Sequence, residues 1–177
     1  MNNFVTRLTT RDVALVGLLI AMDIVVARFL SFGVWSVRIS LTFIIVFFMA
    51  AWFGPVVGGI AAAIADIAGT LLIGGAGGYF VGFTLSAFIE AFIYGMFFYD
   101  RKISFWRILC AVLINIVVVD TLLNTFWIMW LYRVSFWSVF PVRILKEALM
   151  IPIQIILLST VSRNTVLDTL KNHVRLR

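Results

Sequence analysis

An all-α membrane bundle of six transmembrane helices is the fold class that this sequence predicts. Of 177 residues, 63% are hydrophobic and only 12% charged, and mean hydropathy is +1.12, a composition of bilayer proteins. A spanning helix needs about 20 mainly apolar residues. Six segments of suitable length use nearly the whole chain, so residues 1–177 read as one integral-membrane domain without a separate soluble one. Glycine, proline and basic residues mark the breaks between segments.

The first span is expected over residues 12–32. The polar stretch before it lacks the small-residue cleavage pattern of a signal peptide, so the span is expected to stay in the mature protein. The second, 39–53, is short and closes at Trp52-Phe53-Gly54-Pro55, where proline disfavours helix in the residue before it. The third, 55–74, runs into Gly74-Gly75-Ala76-Gly77-Gly78, a backbone with little preferred conformation that suits a moving loop. The fourth, fifth and sixth are expected over 79–99, 106–131 and 138–161.

Six spans put both termini on one side. Arg7, Arg11, Arg101, Lys102, Arg107, Arg163, Lys171, Arg175 and Arg177 fall on that side; Arg28, Arg38, Arg133, Arg143 and Lys146 fall on the other. The excess makes the termini cytoplasmic and turns the glycine loop outward. Orientation in a cell membrane therefore accounts for the net charge of +6, and nucleic acid is not an expected partner.

Several enzyme classes are excluded by residue count. A single cysteine, Cys110, forms no internal disulfide, and a single histidine, His173, lies in the polar tail. A histidine and cysteine metal site lacks ligands, and a serine protease lacks its base. No Gly-x-x-x-x-Gly-Lys phosphate loop is present, so ATP hydrolysis would belong to other chains. Inverted halves of the secondary-carrier kind are not visible.

Polar groups inside hydrocarbon are expensive and face helices, water or a ligand. Asp120, Asn124, Trp127 and Leu131 are spaced four, three and four and share one stripe of the fifth span. An acceptor, an amide and an aromatic face suit a flat heteroaromatic ring, or they bond neighbouring helices. Tyr79, Phe83, Trp130 and Trp137 could add aromatic walls. Arg28, Arg38, Arg143 and Lys146 lie toward the outer ends of spans and together suit a carboxylate, for which the arginine fork is matched. Snorkelling to water is the plainer reading of each, and Arg143 is four residues from Glu147, a pairing distance.

Ala14, Gly17 and Ala21 share a face of the first span, where small residues admit a close helix from this chain or a partner. The similar face of Gly58, Ala62, Ala65 and Gly69 reads first as internal packing. Glu90, one turn after Ser86, also reads first as structural. The roles of Asp23 and Asp66 stay open.

Val37-Arg38-Ile39-Ser40, Trp52 to Gly58 with Ala65-Asp66, and Gly82-Phe83-Thr84-Leu85-Ser86-Ala87 resemble blocks of the substrate-binding S components of energy-coupling factor vitamin transporters. Asn124-Thr125-Phe126-Trp127 and Pro141 to Lys146 are similar to the folate-specific branch. The resemblance implies a bacterial six-helix subunit without catalytic activity or a cofactor of its own. It would bind folate or reduced folates and work with a transmembrane coupling protein and two cytoplasmic ATPases. It also implies that Ala14, Gly17 and Ala21 dock the coupling protein and that Gly74, Gly75, Gly77 and Gly78 belong to a gate. The outer basic residues would meet the folate carboxylates, and Asp120, Asn124 and Trp127 the pterin. Where related sequences often carry proline, this chain has Ile44-Ile45-Val46 and Val81. Two rivals are an S component for another carboxylate-bearing vitamin and an intramembrane enzyme using Asp66, Glu90 or Asp120 as acid or base. A self-sufficient carrier is a third.

Overall fold

The computed structural model describes residues 9–34, 37–74 and 78–163. Their order is α1 (Thr10–Phe29), β1 (Ser31–Val34), β2 (Val37–Ser40), α2 (Thr42–Ile73), α3 (Val81–Phe98), α4 (Phe105–Asn115), a π-helical segment (Ile116–Leu123), α5 (Asn124–Tyr132) and α6 (Phe136–Arg163). Among the described residues four stretches are long and apolar enough to cross a bilayer: Thr42–Leu72, Val81–Phe98, Phe105–Tyr132 and Phe136–Ser162.

Helix α1 starts on a reciprocal cap. The Thr9 N–H donates to Asp12 Oδ2 at 2.9 Å, and the Asp12 N–H donates to Thr9 Oγ1 at 3.4 Å, which satisfies donors that the first turn leaves open. Arg28 lies in its last turn, where a cation complements the helix dipole.

Helix α2 is two arms folded back on one another. Gly54 leaves helical geometry at φ 88° and ψ 174°, a region that favours glycine. A Cβ added to Gly58 would stand 2.8 Å from Ala50 Cα, whereas residues eight apart in a straight helix are separated by about 12 Å. The turn expected at Gly54-Pro55 is therefore present. Helix α3 crosses the same bend closely, since a Cβ on Gly95 would meet Pro55 Cα at 2.4 Å. The Tyr99 ring covers Gly54.

Phe47, Ala50, Ala91, Tyr94, Phe98, Ile108, Ala111, Val112 and Leu158 form a buried core contributed by α2, α3, α4 and α6. A smaller core joins Leu19 of α1 to Ile45, Met49, Phe53 and Ala61 of α2. Ala62 and Ala65 are also buried, in agreement with internal packing of that small-residue face.

One feature departs from the expected boundaries. Residues 31–32 and 39–40, assigned above to the first and second spans, belong to an antiparallel hairpin pairing Ser31 with Ser40, Phe32 with Ile39, Gly33 with Arg38 and Val34 with Val37. Strand-forming Phe32, Val34, Val37 and Ile39 alternate there with small or polar residues, the two-residue period of a strand.

Candidate functional site

The described polar groups concentrate where α3, the π segment and α6 meet. The Asn124 N–H donates to the carbonyl of Val119, five residues back rather than four. Such wide turns frequently mark functional sites. Arg143, 5% exposed, reaches across from α6, and its Nη2 donates to the main-chain carbonyl of Asp120 at 2.7 Å. On the side-chain side, Asn124 Nδ2 donates to Asp120 Oδ1 at 3.4 Å. Asp120 and Asn124 thus share a face, as their spacing predicts.

Charged groups surround this pair. Lys146 Nζ contacts Glu147 Oε1 at 2.7 Å, with both side chains largely buried. Lys146 is therefore an ion-pair partner of Glu147, which also feels the charges of Arg143 and Asp120. Glu90 of α3 stands in the field of Asp120, Asp23, Lys146 and Glu147. Asn124 Oδ1 and Glu147 Oε2 are buried and make no hydrogen bond among the described residues. Buried polar atoms normally have partners, which marks both as candidates for a polar ligand or water.

An aromatic wall adjoins the cluster. Trp127 Nε1 donates to Ser86 Oγ at 3.1 Å, and the Trp127 ring meets Phe80 edge-on with centroids 5.8 Å apart. It lies against Gly82, where a Cβ would come within 2.5 Å of Trp127 Cδ2. Phe83 packs on Phe80 at 5.7 Å. Nearby, Thr84 Oγ1 donates to Asp66 Oδ2 at 2.7 Å and approaches the Tyr79 hydroxyl at 3.4 Å. This gives Asp66 a partner across the α2 and α3 contact, and Tyr79 is 43% exposed.

Not every candidate joins the cluster. Arg28 is exposed at the end of α1, and Arg38 has its backbone in β2 opposite Gly33 while its side chain lies outside what is described. Gly74 and Gly78 adopt φ 75° and 78°; Gly75 and Gly77 lie outside the described residues. Ala14, Gly17 and Ala21 are exposed, and a Cβ on Gly17 would touch nothing within 4 Å. An apolar recess of about 180 Å³, lined by Val13, Val16, Val57, Ile60, Ala61 and Ile64, lies beside that face.

Glu147 and Ser86 enter the site although the sequence reading gave them no ligand role. Their signal was present as polar residues within apolar helices. Which helix they face is a tertiary fact.

The family model for the ECF transporter substrate-specific component matches residues 11–162. The chain is 43% identical over 140 residues to the folate transporter FolT of Clostridium novyi (strain NT), covering 79% of this chain and 81% of that protein. It is 34% identical over 155 residues to the folate transporter FolT of Leuconostoc mesenteroides, covering 84% and 83%. A crystal structure of FolT bound with folic acid superposes with a TM-score of 0.84 at 35% identity, over 88% of this chain and 96% of that one.

Proposed function

This chain belongs to the family of ECF transporter substrate-specific components, and from that premise we propose that it captures folate or a reduced folate outside the cell. The observation that carries the substrate is the likeness to a FolT structure holding folic acid, TM-score 0.84. The polar site agrees with that chemistry. Asn124 Oδ1 is a buried acceptor without a partner among the described residues, beside the Asp120 carboxylate. A pterin edge presents both donors and acceptors to such a pair, and Trp127 offers a neighbouring apolar face. The two carboxylates at the other end of folate are matched by basic side chains, for which Arg28, Arg38, Arg143 and Lys146 are the candidates, although Arg143 already donates to the Asp120 carbonyl and Lys146 is paired with Glu147.

The architecture read here is six crossings: α1, each arm of α2, α3, the continuous run from α4 to α5, and α6. Both termini face the cytoplasm, as the basic excess supports. ATP is hydrolysed by two partner ATPases, coupled through a transmembrane protein that docks on Ala14, Gly17 and Ala21. The exposed small-residue face and the apolar recess beside it support this surface. The Gly74 to Gly78 loop closes over the ligand. Titration of the purified protein with folate tests the reading: binding below micromolar concentration is expected, and its absence for folate and reduced folates alike overturns the assignment.

A further inference from the structure

A basic recess of about 590 Å³ lies at the connection between α3 and α4, lined by none of the residues of the polar cluster. Arg101, Lys102, Ser104, Trp106 and Arg107 line it. Arg107 Nη1 donates to the Lys102 carbonyl at 3.2 Å, which folds the connection around the recess. One acid, Asp100, precedes the three cations in sequence and does not line it. Tyr99, against the Gly54 bend, fixes this connection at the bend end of the bundle.

From its rim an apolar track descends the helix. Trp106 is 71% exposed, Leu113 38% and Val117 53%, and the exposed Cys110 lies between them. Spacings of four, three and four put all of them on one helical face. A recess with three cations directly above an exposed apolar stripe has the polarity of an anionic lipid, head and tail. A free anion would use only the recess.

We propose that this recess binds the phosphate of an anionic phospholipid in the cytoplasmic leaflet, with Arg101, Lys102 and Arg107 on the headgroup and an acyl chain along Trp106, Leu113 and Val117. Basic residues beside a membrane are the usual recognition of anionic headgroups, and a tryptophan at the rim suits the interface. The site would anchor one end of the bundle to the leaflet, independently of the vitamin.

Native mass spectrometry of the purified protein with dioleoyl phosphatidylglycerol, and with dioleoyl phosphatidylcholine as control, tests this. Retained phosphatidylglycerol exceeding phosphatidylcholine is expected, with Lys102→Gln plus Arg107→Gln lowering the apparent affinity about 30-fold, about fivefold per charge near the surface. Arg107→Lys, which keeps the charge, should stay within a few-fold of the parent and shows that the loss is not misfolding. Folate binding serves as the fold control. Equal retention of both lipids overturns the proposal, as does an unchanged affinity in the double variant. So does full displacement by millimolar inorganic phosphate, the result for a site that takes a free anion.

Discussion

Arg143 of α6 donates its Nη2 hydrogen to the main-chain oxygen of Asp120 at 2.7 Å, across a gap of 23 residues in sequence. The bond ties α6 to the π segment and holds the turn from which the Asp120 and Asn124 side chains project. A hydrogen bond from a charged donor contributes about 1.5–3 kcal/mol. Replacing Arg143 by methionine should therefore lower the melting temperature and weaken folate binding at least about tenfold. Lysine, which can supply one donor, should recover part of both. Thermal unfolding and ligand titration on the two variants check this; an Arg143→Met protein with parental affinity would show that the bond does not position the site.

Trp127 is oriented by Ser86 through a 3.1 Å bond from the indole nitrogen. A neutral hydrogen bond is worth about 0.5–1.5 kcal/mol. Ser86→Ala should cost about two- to tenfold in folate affinity with little change in melting temperature. An unchanged affinity would separate Trp127 orientation from ligand binding.

A close backbone approach lies at the bend, where a Cβ on Gly95 would fall 2.4 Å from Pro55 Cα. Gly95→Val must push α3 off the Gly54 turn, and overpacking of this kind costs about 1–3 kcal/mol or more. A lowered melting temperature and reduced yield of monodisperse protein are expected. Gly17, with open space around it, should accept leucine without loss of fold or folate binding. The same Gly17→Leu change should block co-purification with the coupling protein, and intact assembly would remove α1 from the docking surface.

Thr84 Oγ1 reaches Asp66 at 2.7 Å, next to Tyr79 at the end of the glycine loop. Thr84→Val keeps the shape and deletes the donor, which leaves the carboxylate less well satisfied. Because this contact joins α2 to the start of α3 beside the proposed gate, folate dissociation should accelerate several-fold while the association rate holds. Stopped-flow measurement of both rates distinguishes that from a general loss of stability.

Much of this arrangement was legible in the sequence because it rests on local chemistry. Gly54-Pro55 announces a bend, since proline restricts its predecessor and glycine accepts φ 88°. Asp120 and Asn124 share a face because four residues make about one helical turn. The β1 and β2 hairpin was not legible in the same way. Its short apolar runs adjoin helices on both sides, and a run of that length does not distinguish strand from helix. The π segment accepts a bond from Arg143 at the Asp120 carbonyl, a contact that no local pattern encodes. The link between Ser86 and Trp127 is similarly tertiary: spacing put Ser86 on a face of α3 but could not say that α5 lies opposite.

Asp120 and Asn124 are proposed to read the ring of a folate, and calorimetric titration of the parent protein against Asn124→Ala puts that role to the test. Sub-micromolar folate binding by the parent and a loss of at least about tenfold in the variant are predicted, in line with a buried polar contact left unmade. Affinities within a factor of about two, below 0.5 kcal/mol by the tenfold-per-1.4 kcal/mol rule, would contradict it.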